Sequence, residues 1–393
     1  MAAPRRLGRA GLCVMALLAG PLQAAVITVG PEEPVRSVAD AARLARDGDT
    51  VLIQPGSYRG DVAVWHQKSL EIRGVGERPV LDARGSVAEG KAIWVFPHGN
   101  FKVRNIAFRG ARAPDHNGAG IRFERGRLEV RDCVFEDNET GLLTANFEDA
   151  ELRVVDSEFR DAPRDTLALH HLLYVGRIGR LWVEGSRFQG GYQGHLLKSR
   201  ARHSEIRYNW LVDGAEGRAA YELEFPEGGV ALVVGNVLGQ GADSANPSVL
   251  AYGAEGPRWP DNRLVMAHNT LISAGWRPAL FARVWAERLP AGTRFVARNN
   301  LTVGLGVFSL TLPGWHQGNH ALPPGALDPT RLDLTLPERS LLRGRVSPPP
   351  EIELRPTAEF RHPVGTRPLV APTRWVPGAF QGPDVMPSGR PSP

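Results

Sequence analysis

Cysteine is nearly missing from this chain: of two in the whole sequence, Cys13 lies in an apolar N-terminal stretch and only Cys133 follows it. One thiol cannot close an internal disulfide, so stability has to come from a buried core. Long apolar runs are scarce as well. The stretch from Gly11 to Leu18 is far short of the roughly 20 residues a membrane helix needs, and no later segment approaches that length. A charge excess of one sign is also lacking. The formal charge is +5, and Arg5, Arg6 and Arg9 supply three of those charges. The remainder is close to balance and gives no general basis for binding nucleic acid. There is no Gly-rich phosphate loop, no Cys/His zinc pattern and no EF-hand phrase, so neither nucleotide nor transition-metal chemistry is expected.

What is present begins with a leader. Arginines, an apolar core and the small residues near Leu22-Gln23-Ala24 read as a signal peptide over residues 1–24, which predicts a secreted or periplasmic protein. Cys13 follows Leu12 rather than a small residue, which argues against a lipid anchor, so no membrane attachment is expected. Beyond the leader the strongest signal is internal recurrence. A β-rich phrase closing on Leu or Phe appears as VRNIAF ending at Phe108, VRDCVF at Phe135, VVDSEF at Phe159, VEGSRF at Phe188 and IRYNWL at Leu211. It continues as VVGNVL at Leu238, MAHNTL at Leu271 and ARNNLT around Leu301, at spacings of 23 to 33 residues. A single unit of this size cannot bury its own inward residues, so the units must stack as a solenoid. Asn209, Asn236, Asn269 and Asn299 share a repeat position and are expected to form an amide ladder through the stack.

The helical spacing of Val35, Val38, Ala41, Ala42 and Ala45 predicts a helix over Val35 to Arg46, placed to cover the open end of the first coil. It is followed by DGDTVLIQPGSY. This opening resembles that of secreted proteins of the pectate-lyase-like superfamily, and the resemblance runs from about Ile27 to Leu312. It implies an all-β fold, a right-handed parallel β-helix solenoid with an N-terminal capping helix and an irregular C-terminal wrap. The expected organisation is a β-helix domain over 25–322 and a Pro/Arg-rich wrap and disordered tail over 323–393, in a monomer.

Candidate chemistry concentrates in three rungs: Leu167 to Gly176, Gly194 to Ala201 and Ala219 to Gly229. Strict alternation along Tyr221-Glu222-Leu223-Glu224-Phe225 puts both carboxylates outside and the apolar set inside. With Leu169, Leu197 and Leu223 taken as equivalent inward residues, His170, Lys198 and Glu224 form one outward column. Arg200, Arg202 and His195 join the same surface, and Arg218 reads either as a substrate clamp or as a surface charge. Titratable clusters of this kind mark functional sites. The plainer reading is a cross-strand salt bridge beside a solvated histidine, with His195 a packed turn residue.

The phrase GHLLKSRARHSEIRYN resembles the Lys-Ser…Ile-Arg-Tyr-Asn phrase of the polysaccharide lyase family that contains alginate lyases and chondroitinase B. That resemblance implies that Lys198 removes the C5 proton of a uronic acid while calcium or another cation neutralises the adjacent carboxylate. Where the family carries Arg-His-Gly in the next rung, this chain has Tyr221-Glu222-Leu223-Glu224, which leaves Arg200, Arg218 or Tyr221 to protonate the leaving oxygen. Three functions stay open on the residues alone. A lyase acting on an acidic polysaccharide is favoured, with Lys198, Arg200, Glu222, Glu224, His170 and Tyr221 in acid/base or charge roles and His195, Arg202 and Arg218 binding substrate. A glycoside hydrolase would use Glu222 and Glu224 as paired carboxylates. A noncatalytic glycan-binding or envelope protein would stack sugars on Trp65, Trp182, Trp210, Trp259, Trp276 or Trp285. Calcium is a candidate cofactor through Glu222, Glu224 or Asp213, whose hard oxygens suit it.

Overall fold

Each coil of the chain makes three short strands, and each strand pairs in parallel with its equivalent one coil away. The computed structural model describes residues 24–311 and 314–382, so the expected leader lies almost wholly outside the described residues, as do the last residues of the expected tail. The strands assemble into parallel sheets of twelve, eleven and ten strands that run the length of the molecule. This is an all-β parallel β-helix. The chain visits the three sheets in fixed order, as in Glu151–Val155, Glu158–Arg160 and His171–Val175, before the next coil begins at Arg180–Glu184. Among the described residues no helix is long and apolar enough to cross a membrane.

The corner between the twelve- and eleven-stranded sheets carries the repeat. It holds two residues in every coil from Asn105 onward. The first adopts a left-handed conformation (Asn105, Asp132, Asp156, Tyr208, His268 and Asn299, with φ from 49 to 55°) or is a glycine such as Gly235. The second points inward. Ile106 and Cys133 fill that place first, and a polar ladder follows: Ser157 N–H donates to Ser186 Oγ at 3.2 Å, and Ser186 N–H to Asn209 Oδ1 at 2.9 Å. Asn236, Asn269, Asn300 and Asn319 continue it, each accepting the backbone N–H and side-chain amide of the preceding coil at 2.9–3.1 Å. The ladder member is thus Asn300. Asn299 is the left-handed residue before it, and the inward position aligned with Leu271 is Thr302 rather than Leu301. Two adjacent asparagines look alike in sequence, and only the corner geometry separates them.

Inward phenylalanines Phe108, Phe135, Phe159 and Phe188 stack face to face at 4.5–5.1 Å along the axis, within the offset-stacking range that adds to simple burial. Helix Val38–Leu44, capped by Ser37, buries Val38 and Ala41 over the first coil. It is shorter than the predicted span, since Arg46 bends into a turn with Asp49. At the other end, Leu334, Leu336, Phe360, Val376 and Phe380 lie against Trp210, Val237, Ile272 and Leu301 on the outside of the eleven-stranded sheet. Cys133 is buried, and desolvation pushes its thiol up to about 12.

The ladder makes a stability prediction. Asn236 is fully buried; its amide donates to Ile206 O at 2.8 Å and its Oδ1 accepts two bonds from Asn209. Asn236→Leu would orphan several buried polar groups at ~1–3 kcal/mol each. Urea denaturation should show a loss of about 3–5 kcal/mol.

Candidate functional site

The strands of the ten-stranded sheet do not alternate strictly. In His195–Ser199 and Tyr221–Phe225 the ladder pairs His195 with Tyr221, Leu197 with Leu223 and Lys198 with Glu224, passing over Leu196 and Glu222. The same interruption recurs further along the sheet, where Ser248 pairs with Leu280 and Leu250 with Ala282, passing over Val249 and Phe281. The backbone therefore turns two successive side chains inward, and the outer face receives the first and fourth residues of each strand, as a bulged strand re-aims its side chains. Three consecutive coils present His171 and Tyr174, then His195 and Lys198, then Tyr221 and Glu224.

These six side chains touch one another. The rings of His171 and His195 lie 4.7 Å apart, those of His195 and Tyr221 5.0 Å apart, and those of His171 and Tyr174 5.1 Å apart. His195 N–H donates to His171 Nδ1 at 2.9 Å, which sets the tautomer of His171. Burial and then the neighbouring His195 and Lys198 hold His171 well below the usual histidine range. His195 Nδ1 lies 2.9 Å from Glu224 Oε2, close but poorly aligned, so neither atom completes a hydrogen bond. Lys198 Nζ sits 3.4 Å from Glu224 Oε2 and 3.4 Å from Glu255 Oε1, and its side chain is only 12% exposed. Burial works to raise the Glu224 carboxyl, but His195 and Lys198 outweigh it and leave the group below its usual range. Tyr221 is shifted upward by burial and then by Glu224, so its hydroxyl keeps its proton at neutral pH.

Arginines frame this patch. Arg200 Nη2 lies 2.7 Å from both oxygens of Glu255, its Nε donates to Glu227 at 3.1 Å, and its other amino group reaches the Tyr174 hydroxyl. Arg177 closes on Glu227 with two bonds of 2.6 and 2.7 Å. Arg202 lies over the Trp259 ring at 4.9 Å and pairs with Glu148, and Trp259 Nε1 donates to Arg200 O. Hollows of about 740 and 670 Å³ lie on the eleven- and twelve-stranded faces, and a smaller one of about 470 Å³ lies on the ten-stranded face beyond the cluster, lined by Leu280, Ala282 and Arg283. An open row suits a long ligand better than a closed pocket does, and the acid/base groups in mutual contact are on the ten-stranded face.

Several expectations need correction. His170 is not in the column; it belongs to the corner before its strand, buried, with Nε2 2.8 Å from Asp165 Oδ1. Tyr174 takes its place, paired with Lys198, because Leu173 and not Leu169 is the equivalent of Leu197; Leu169 is 58% exposed. Glu222 is not on the outer face. It is fully buried inside the coil, level with Leu196 and Val249, and neither oxygen has a hydrogen-bond partner among the described residues. Burial, followed by the nearby Asp213, drives its carboxyl far upward. Asp213 accepts the N–H groups of Gly191 and Ala219 and rises to about 6, chiefly by burial. Glu222 and Glu224 thus leave one strand on opposite faces, which removes the paired-carboxylate arrangement for hydrolysis and leaves these two carboxylates unable to face one common ion. Among the described residues no group of three or more His, Cys, Asp or Glu converges as a metal site.

Arg218 lies on a corner, half-exposed and 3.6 Å from Asp243, outside the cluster. Trp65, Trp210, Trp259 and Trp285 are buried, whereas Trp276 is 80% exposed. Residues that sequence reasoning missed are His171, Tyr174, Arg177, Glu227 and Glu255. The first two carried a signal: His171-Leu172-Leu173 and His195-Leu196-Leu197 are the same triplet, which sets the register directly. Comparison of the chain with protein-family models, with curated proteins and with solved structures finds no match.

Proposed function

We propose that this β-helix binds an acidic polysaccharide along its ten-stranded face and cleaves it by β-elimination beside a uronic acid. The observation that carries the reading is the contact of Lys198, His195, Glu224 and Tyr221 on adjacent coils, with Arg200 alongside. Elimination requires positive charge at the uronate carboxylate, an acceptor for the C5 proton and a donor for the leaving oxygen. Lys198 and Arg200 supply the charge. His195, whose Nδ1 side faces the Glu224 carboxylate at 2.9 Å, takes the C5 proton on its other nitrogen. The electron pair left at C5 forms the C4–C5 double bond, the C4–O bond breaks, and the Tyr221 hydroxyl protonates the departing oxygen. The exposed Trp276, on the corner leading into Ala279–Val284, offers a sugar-stacking surface at the edge of the face.

A second reading keeps Lys198 as the base, as the resemblance implies, and its place on the outer face between Tyr174 and Glu224 suits that role. Incubation with alginate, pectate, glycosaminoglycans and neutral glycans tests the proposal. Ultraviolet absorbance from the unsaturated uronate product is the expected result with one of the acidic polymers. New reducing ends without that absorbance would sink elimination, and binding without any cleavage would leave a noncatalytic glycan-binding protein.

A further inference from the structure

Glu255 differs from the two other carboxylates that pair with Lys198, Arg200 and Arg177. Glu224 and Glu227 have side chains no more than 6% exposed and are locked in place, whereas the Glu255 side chain is 43% exposed. It stands on the turn that follows Ser248–Tyr252, where Glu255 N–H donates to Pro226 O at 2.8 Å and Gly253 and Gly256 take left-handed conformations. From there its carboxylate reaches back over two coils to bridge Arg200 and Lys198. Burial opposes its charge, but Arg200 and then Lys198 more than offset this and hold the carboxyl below its usual range.

Neither cation depends on Glu255 for its position. Arg200 is also anchored to Glu227 and to the Tyr174 hydroxyl, and both it and Lys198 lie over the Tyr174 ring. Lys198 is held in addition by Glu224. Without Glu255, the three cations Lys198, Arg200 and Arg177 face two carboxylates, Glu224 and Glu227, in a fixed and partly desolvated frame. Such a frame lacks one negative charge, and a guanidinium presents its donors in the fork that suits a carboxylate.

We infer that Lys198 and Arg200 form a carboxylate-binding subsite which Glu255 occupies in the free protein, and that a ligand carboxylate enters by displacing it. The Glu255 side chain needs only to rotate into solvent, where its charge is fully hydrated. The inference rests on the proposed reading in taking the natural ligand to be a uronate carboxylate, but the subsite itself can be tested without any polymer.

The experiment is calorimetric titration of the full chain with sodium acetate at low ionic strength, comparing wild type with Glu255→Gln and Glu255→Ala. Both variants should bind acetate at least tenfold more tightly than wild type, and adding Lys198→Ala to Glu255→Gln should remove the gain. Circular dichroism establishes that each variant is folded. Acetate binding in Glu255→Gln and Glu255→Ala no tighter than in wild type would overturn the inference, even with a polymer substrate in hand. Tighter acetate binding by a protein that binds no acidic polysaccharide would uphold the subsite and count against the polymer reading alone.

Discussion

Lys198→Ala is expected to lower turnover of an acidic polysaccharide by about 10²–10⁴-fold while leaving the fold intact, because the ammonium lies on the outer face and takes no part in the core. Lys198→Arg then separates the two assignments of the proton acceptor. A guanidinium retains charge but cannot accept a proton at working pH. If His195 is the base and Lys198 a counter-charge, Lys198→Arg should keep much of the activity and His195→Ala should lose it. If Lys198 is the base, Lys198→Arg should fail almost as badly as alanine. Full activity in both Lys198→Ala and His195→Ala would eliminate this face as the site of cleavage.

Glu222→Leu should raise stability, and by more as the pH rises. The wild-type carboxyl is sealed in the core without a hydrogen bond, and its level in the neighbouring coils is occupied by Leu196 and Val249. Its folded pKa lies well above the unfolded value, so the folded state holds a proton that the unfolded state releases. Its contribution to stability is complete below the unfolded pKa and is lost as pH climbs through the folded one. Across that window the difference between Glu222→Leu and wild type should widen by up to about 1.4 kcal/mol per pH unit. Asp213 acts with the same sign between its ordinary value of 3.8 and about 6. Urea midpoints for both proteins at pH 5, 7 and 9 supply the measurement. A pH-independent difference, or a destabilised variant, would mean that Glu222 finds a polar partner in solution.

That pair of glutamates shows where reading the residues alone succeeds and where it stops. Lys198 and Glu224 were legible as neighbours because each follows an inward leucine, and Leu197 and Leu223 do stand opposite one another. Glu222 was misplaced because strict alternation assumes an unbroken ladder, and the ten-stranded sheet departs from it at the second residue of its strands. His170 was misplaced for a different reason. Ten residues, 161 to 170, separate Glu158–Arg160 from His171–Val175, whereas five separate Arg187–Gln189 from His195–Ser199. A corner of variable length carries no register.

The sequence by itself determined the solenoid, its inward phenylalanines and leucines, and the asparagine ladder at Asn209, Asn236 and Asn269. These features cluster around the one corner whose length stays at two residues from Asn105 onward, where a left-handed residue and an inward residue recur in each coil. Repetition there is a steric requirement, so it is written in the residues. Beyond Lys198 with Glu224 and the ladder amides, the tertiary structure decided which polar groups meet. Glu255 and Arg200 are 55 residues apart, and Arg177 and Glu227 are 50 apart. They come together because coil stacking sets distances along the axis that no local pattern records. The same stacking placed Glu222 in the core and Glu224 on the surface: one break in the hydrogen-bond ladder rotates a side chain from solvent to interior while leaving its neighbours in the sequence unchanged.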